Sequence, residues 1–142
     1  EGLNEAISWI KDEEGQNLKI IKDSALKNIL SVIKLDLKEF GVNHNSWFHE
    51  SSLYKKEGSK NSKIEQALET LQNNDFIYEE DGAIWFKSTE FGDDKDRVVR
   101  RANEDPTYFA SDIAYHLDKY ERKYDRVINI WGSDHHGYLP RV

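Results

Sequence analysis

A short and nearly continuous apolar run, Val-Ile-Asn-Ile-Trp at residues 127–131, stops abruptly at Gly132. It follows a stretch of helical periodicity that ends near Arg122, with apolar residues at Ala110, Ile113, Ala114, Leu117 and Tyr120. A helix, a short loop, a buried strand and a glycine in this order are typical of a parallel α/β sheet. The sequence therefore predicts an α/β fold with a buried strand at residues 127–131.

Polar residues follow the predicted strand, in the order Gly132, Ser133, Asp134, His135 and His136. In open parallel sheets, ligands bind beyond the carboxyl ends of the strands. A glycine there allows close approach to the backbone, and aspartate and histidine can hydrogen-bond a polar ligand or bind a metal. We therefore expect a ligand site here. The competing interpretation is a polar turn in which Asp134 caps the next helix.

Tyr108 and Asp112 form a second candidate pair at the start of the predicted helix. Residues four apart share a helix face, so this spacing places a phenol beside a carboxylate. A carboxylate is the natural partner of a guanidinium, which offers planar, forked donors. From the spacing alone, a structural role is the better interpretation: Asp112 caps the helix or favours its N-terminal dipole, while Tyr108 packs.

The middle of the chain predicts a small α+β unit. Asp81-Gly82 lies between two aromatic-rich runs and indicates a hairpin, because both central residues of a type I′ turn need positive φ. Ser62 and Glu65 form a capping-box pair ahead of an apolar stripe, which predicts a helix at about residues 61–72. With a third strand at residues 97–101, we expect an antiparallel sheet backed by this helix.

The first forty residues predict two helices, each with an apolar stripe. Gly15 can close the first helix, and Gly41 lies where a left-handed cap of the second is expected. We expect both helices to be packing elements that carry no chemistry.

Two further polar features are interpreted as structural. The loop FGDDKDR at residues 91–97 has carboxylates at Asp93, Asp94 and Asp96, but a lysine lies among them and no calcium-loop pattern is present. A solvated charged loop is the better interpretation. The remaining histidines lack a metal-ligand spacing: His44, His49 and His116.

Composition excludes several classes of function. The net charge of −7 argues against this chain being the main surface that grips a phosphate backbone. No apolar run approaches the roughly 18 residues that span a bilayer, and the acidic, amphipathic start is not a signal peptide. With no cysteine there are no disulfides or thiolate zinc sites, and the redox compartment does not follow from the sequence. A cytoplasmic location is the default expectation.

The blocks FGDDKDRVV and PTYFASDIAYHLDKYERKYDRVINIWGSDHHGYLPRV, together with WFHESSLY and DGAIWFKST upstream, resemble bacterial arginyl-tRNA synthetases. The resemblance covers the chain from about Ile29 onward. It implies part of a class I, Rossmann-type catalytic domain with a small α+β insertion. It also implies activation of L-arginine with ATP, bound as its Mg²⁺ complex, and transfer to tRNA(Arg), with no protein-bound metal.

The resemblance also implies roles for the candidate residues. The family's TY-x-x-x-D pattern maps onto Tyr108 and Asp112, which would line the arginine pocket and hold the guanidinium, with His135 as a further substrate-binding residue. The family's segment after the next strand borders the arginine and ATP pocket, and it maps onto Gly132, Ser133, Asp134 and His136. The resemblance thus favours the functional interpretation of both constellations.

The sequence also departs from the family pattern. The class I signatures His-Ile-Gly-His and Lys-Met-Ser-Lys-Ser are not in the chain, which contains no methionine. We therefore expect an internal piece of the enzyme that is inactive alone. The expected parts are a helical segment at residues 1–44, the insertion at 45–105, and the start of the second half of the nucleotide-binding sheet at 106–142. An exposed strand edge along residues 126–131 predicts self-association.

Two interpretations from other classes remain open. Asp134-His135-His136 after a buried strand is also typical of Asp-His-His phosphoesterases, which bind Mn²⁺ or Mg²⁺. That family needs further aspartates in an Asp-x-Asp pattern at the ends of earlier strands, and Asp94 and Asp96 have this spacing but lie in a loop without a buried strand before it. Alternatively, residues 47–88 form a non-enzymatic binding module. A basic patch would favour RNA contact by that module, and its candidate members are Lys55, Lys56, Lys60 and Lys63.

Overall fold

The computed structural model describes residues 2–11, 15–58 and 60–141. The chain divides into two compact units, Glu1–Trp47 and Phe48–Val142. No helix in the described part of the chain is long and apolar enough to cross a membrane.

The first unit contains two helices, α1 (Gly2–Ile10) and α2 (Gln16–Glu39), as the apolar stripes predicted. The end of α2 confirms the predicted left-handed cap, because Gly41 has φ 86°. The Gly41 N–H donates to the Lys38 carbonyl at 3.0 Å and the Val42 N–H to the Leu37 carbonyl at 2.7 Å. These paired bonds are the Schellman arrangement that satisfies the last carbonyls of a helix.

The second unit contains the predicted antiparallel sheet. Its strands β1 (Ile77–Glu80), β2 (Ala83–Phe86) and β3 (Arg97–Arg100) pair in the order β1-β2-β3. The turn residues Asp81 and Gly82 have φ 50° and 73°, which confirms the hairpin predicted at this pair. A short 3-10 helix, Ser88–Phe91, follows β2.

Helix α3 (Lys63–Asn73) confirms the helix predicted ahead of the sheet. The Ser62 hydroxyl accepts a hydrogen bond from the Glu65 N–H at 3.3 Å, so half of the expected capping box forms. The Glu65 side chain instead accepts from Arg100 Nη2 at 2.6 Å and 2.5 Å, which ties the first turn of α3 to β3.

The core of this unit lies where α3, helix α4 (Tyr108–Glu121), β3 and the 3-10 helix Glu50–Tyr54 meet. Its buried apolar members are Leu53, Ile64, Ala67, Leu68, Val99, Phe109, Ala110 and Ala114. Helix α4 therefore packs on the same core as the insertion helix α3, and this packing fixes the position of the candidate residues that α4 carries.

The prediction of a buried strand at residues 127–131 is wrong for this structure. The segment forms neither a helix nor a strand, and the exposed fractions of Ile128 and Ile130 are 72% and 91%. A parallel strand is stable only when neighbouring strands take up its backbone hydrogen bonds, and no described strand lies beside this one. A 3-10 helix, Ser133–Arg141, follows it.

Candidate functional site

Helix α4 carries both residues of the Tyr108 and Asp112 pair, and Thr107 fixes where it begins. The Thr107 hydroxyl accepts from the Ala110 N–H at 3.3 Å and donates to the Val98 carbonyl at 2.8 Å. The N-cap is therefore Thr107 and not Asp112. This leaves the Asp112 carboxylate available for other partners one turn further along the helix.

Asp112 lines a cleft of about 240 Å³ with Phe48, Glu50, Leu53, Ser111 and Tyr115. The rings of Phe48 and Tyr115 stack at a centroid distance of 4.5 Å and form an apolar wall. Two carboxylates, Glu50 and Asp112, contribute negative charge. The two carboxylates suit a planar cation, because carboxylates bind a guanidinium through paired hydrogen bonds.

Glu50 is the residue of this cleft that sequence reasoning missed. It begins the 3-10 helix Glu50–Tyr54, which no pattern in the sequence predicted. It is separated from Asp112 by 62 positions, so no spacing rule could pair them. The available signal was its place in the block WFHESSLY, one of those that carry the family resemblance.

Tyr108 lies apart from that cleft. Its side chain is exposed to 80% and lines a separate cleft of about 400 Å³ with Tyr54, Arg101, Asp105 and Pro106. The phenol that hydrogen-bonds Asp112 is that of Tyr138, whose hydroxyl donates to Asp112 Oδ2.

An aromatic cluster joins α4 to the predicted ligand-binding segment. Tyr138 lies at its centre, with ring centroids 6.5 Å from Phe109 and 5.9 Å from Trp131. Trp131 lies 6.2 Å from the ring of His135 and 6.5 Å from that of His116. The structure thus brings part of the segment 131–138 onto the helix that carries Asp112.

The five predicted pocket residues after Trp131 are exposed: Gly132, Ser133, Asp134, His135 and His136. Asp134 lies inside the 3-10 helix, with its carboxylate against Gly132 and 3.6 Å from His135 Nε2. An N-cap residue precedes its helix, whereas Asp134 is the second residue of this one, so Asp134 is not its N-cap.

Two basic side chains, His116 and Lys119, lie near the cleft. Burial lowers the pKa of His116, with a smaller lowering from Lys119, while the Asp112 carboxylate opposes the shift. Burial also lowers the pKa of Lys119, against the opposing effect of Asp112. The Lys119 ammonium lies 4.2 Å from the centre of the Tyr115 ring and donates to Asn129 Oδ1 at 2.7 Å. It thereby ties the unpaired segment 127–131 to α4.

Comparison with known proteins gives the family. Residues 3–142 match the family profile described as tRNA synthetases class I (R), catalytic domain. The chain belongs to this family. The sequence-based resemblance is thereby confirmed, and so is the α/β class of the fold.

Relatives of this class I synthetase chain include arginine–tRNA ligases. That of Psychrobacter cryohalolentis is 53% identical over 128 residues, which are 90% of this chain and 20% of that protein. That of Acinetobacter baumannii strain AYE is 56% identical over 128 residues with the same coverage. The chain thus spans about a fifth of the length of the curated relatives it matches.

A solved structure is also similar to this class I synthetase chain. The protein of Campylobacter jejuni assigned as an arginyl-tRNA synthetase superposes with a TM-score of 0.80 and is 41% identical. The match covers 92% of this chain and 27% of that one.

The phosphoesterase interpretation finds no support in this class I synthetase chain. Among the described residues, no group of three or more His, Cys, Asp or Glu side chains is arranged to hold a metal ion. Asp96 is taken up by protein donors instead: the Thr89 N–H at 3.1 Å, the Thr89 hydroxyl at 2.7 Å and the Tyr78 hydroxyl at 3.1 Å. These bonds lower the pKa of Asp96.

Proposed function

We propose that this chain is part of an arginine–tRNA ligase that activates L-arginine with ATP and charges tRNA(Arg). The family membership and the ligase relatives support the reaction class. The observation that carries the substrate assignment is the cleft of about 240 Å³ lined by both Glu50 and Asp112. In this proposal, the cleft receives the guanidinium group of arginine.

The chemistry of the cleft favours arginine over its neutral analogue. A guanidinium offers donors in a fixed plane, so two carboxylates at the cleft can each take hydrogen bonds from it. The Phe48 and Tyr115 rings stack on each other and form an apolar wall of the cleft, and Arg122 and Lys119 lie over these rings. In this proposal the two carboxylates therefore carry the recognition of the guanidinium. Citrulline has a similar shape but no charge, so it would leave both carboxylates without a counter-ion.

The remaining expectations from the sequence are part of the same proposal. Tyr108 and His135 are further arginine-binding candidates, while Gly132, Ser133, Asp134 and His136 border the arginine and ATP pocket. ATP enters as its Mg²⁺ complex and is a substrate. The division of the chain at residues 44 and 105, and a cytoplasmic location, belong to this proposal as well.

The exposed apolar segment at residues 127–131 also supports the proposed self-association of the chain. Ile128 and Ile130 are 72% and 91% exposed, and the backbone of the segment is not paired into a sheet of the described residues. Pairing of two such segments would satisfy backbone groups and bury apolar surface at the same time.

The test is a chimera in which the matched 128 residues of the Acinetobacter baumannii ligase are replaced by those of this chain. We expect the chimera to charge tRNA(Arg), and failure of a folded chimera to do so would count against the proposed function. Asp112→Asn should then raise KM for arginine about 10- to 100-fold, because the guanidinium keeps its charge but loses a carboxylate counter-charge. Glu50→Gln should act in the same direction.

Asp125→Asn is the matched control, because it makes the same chemical change at an exposed position of the same chain. It should leave KM for arginine unchanged. The discriminating measurement is the preference for arginine over citrulline, obtained by comparing KM for arginine in the charging reaction with the inhibition of that reaction by citrulline. An Asp112→Asn chimera that keeps its full preference for arginine would remove the pocket from the proposal, even if the ligase activity itself is confirmed.

A further inference from the structure

Tyr138 contributes a hydrogen bond to the candidate site that neither spacing nor the family resemblance assigned. Its hydroxyl donates to Asp112 Oδ2 across 26 positions of the sequence. The two residues lie on different elements, α4 and the 3-10 helix Ser133–Arg141. The bond therefore joins the carboxylate of the cleft to the segment that follows residues 127–131.

The Tyr138 ring is held in place by its neighbours. Phe109, which is buried on α4, meets it edge to face, with planes at 85° to each other, and Trp131 lies tilted against it at 57°. Aromatic neighbours in such arrangements fix both the position and the tilt of a ring. The hydroxyl is consequently presented to Asp112 from a fixed direction.

One hydrogen bond from Tyr138 does not use up the Asp112 carboxylate. An ionised carboxylate is an acceptor with two oxygens and about four lone-pair positions, so Oδ1 and a second lone pair of Oδ2 can still accept. A carboxylate that already has a fixed orientation loses less freedom when a forked donor binds it. The tyrosine and a guanidinium can therefore act on the same carboxylate together.

We propose that Tyr138 is a positioning residue that orients the Asp112 carboxylate to receive the guanidinium of the substrate. This inference rests on the proposed function, because it requires Asp112 to bind that group. Tyr138 acts through Asp112 and need not contact arginine itself. The role is one of specificity, since the orientation of Asp112 affects only the binding of the cationic end of the substrate.

The experiment uses Tyr138→Phe in the active chimera described above. This change removes the hydroxyl and keeps the ring that packs on Phe109 and Trp131. We expect KM for arginine to rise about ten-fold, the effect of losing one hydrogen bond to a charged group. The values of kcat and of KM for ATP should stay within about two-fold of those of the unsubstituted chimera, well below the ten-fold change expected in KM for arginine. Tyr120→Phe, at a 67% exposed position of the same helix as Asp112, is the matched control and should change none of them.

The double variant Tyr138→Phe with Asp112→Asn separates positioning from mere packing. If the hydroxyl acts only through the Asp112 carboxylate, the double variant should have the same KM for arginine as Asp112→Asn alone. If the two substitutions acted independently, their fold increases in KM for arginine would instead multiply. Thermal unfolding of both variants provides a readout of folding that is independent of arginine.

Several results would overturn the inference. An unchanged KM for arginine in Tyr138→Phe would show that the hydroxyl does not orient Asp112, and a lowered KM would show that it blocks the carboxylate. A uniform change in kcat and both KM values, together with a lower Tm, would show a purely structural tie. If Asp112→Asn itself leaves KM for arginine unchanged, the pocket assignment of the proposed function fails instead.

Discussion

Arg97 holds Asp93 through two parallel hydrogen bonds, Nε to Oδ2 at 2.7 Å and Nη2 to Oδ1 at 2.8 Å. The Asp93 side chain is only 4% exposed, whereas that of Asp94, which contacts the same arginine, is 76% exposed. This pair fastens the acidic loop to the first residue of β3. Two neighbouring aspartates with one shared partner thus differ mainly in burial.

Asp93→Asn should lower the free energy of unfolding by about 2 kcal/mol, because the partly buried Arg97 guanidinium loses its buried counter-charge and keeps only the exposed Asp94. Asp94→Asn should change it by less than about 0.5 kcal/mol, since exposed ion pairs contribute little. Urea unfolding of the two variants measures both values. Equal losses would contradict the assignment of the stabilising contact to Asp93.

The same pair predicts a pH dependence of stability. Hydrogen bonds from Arg97 hold the pKa of Asp93 well below its ordinary value of 3.8. A carboxyl with a depressed folded pKa contributes its full stability above the unfolded value and loses it as pH falls through the folded one. The free-energy difference between the wild type and Asp93→Asn should therefore be constant above about pH 5 and shrink below about pH 4. A difference that stays constant down to pH 2.5 would refute this.

The elements predicted well from the sequence are those fixed by near neighbours along the chain. The Asp81-Gly82 hairpin depends on two residues that accept positive φ, and the start of α3 depends on Ser62 bonding Glu65 three positions on. Such signals are complete within a few residues. They do not depend on any partner elsewhere in the protein.

Features that depend on distant partners were predicted less well. Residues 127–131 have the composition of a buried strand, but a strand exists only beside another one. The acidic loop was predicted to be solvated, yet the Asp93 side chain is buried in its ion pair with Arg97. Glu50 and Asp112 share a cleft only because the core residue Leu53 packs the 3-10 helix near α4. No residue spacing contains this information.

Thr107 provides a test of how the helix that carries Asp112 is anchored. Thr107→Ala removes both the N-cap acceptor and the hydroxyl donor to the Val98 carbonyl, and should cost about 1–2 kcal/mol of unfolding free energy. Thr107→Ser keeps the hydroxyl and should cost less than about 0.5 kcal/mol, within the range of neutral substitutions. Chemical denaturation measures both. A serine variant as unstable as the alanine one would assign the effect to the lost methyl group.

The 142-residue chain should not catalyse ATP–pyrophosphate exchange with arginine. Stabilising the charge that develops on the α-phosphate needs positioned donors. The two class I signature motifs, His-Ile-Gly-His and Lys-Met-Ser-Lys-Ser, are absent from this sequence. Exchange of labelled pyrophosphate into ATP is the measurement. The active chimera is the positive control, and exchange above background by the 142-residue chain would contradict the prediction.

The exposed segment at residues 127–131 should drive concentration-dependent self-association of the chain. Ile130 is 91% exposed, and a segment outside any sheet of the described residues offers both backbone hydrogen bonds and apolar surface to a second copy. Ile130→Lys places a charge in that contact and should shift the sedimentation equilibrium toward monomer by at least about ten-fold in Kd. Ile29→Lys makes the same change on α2, at a position exposed to 58%, and should have no such effect. If Ile29→Lys disperses the dimer and Ile130→Lys does not, the contact surface is the face of α2 instead.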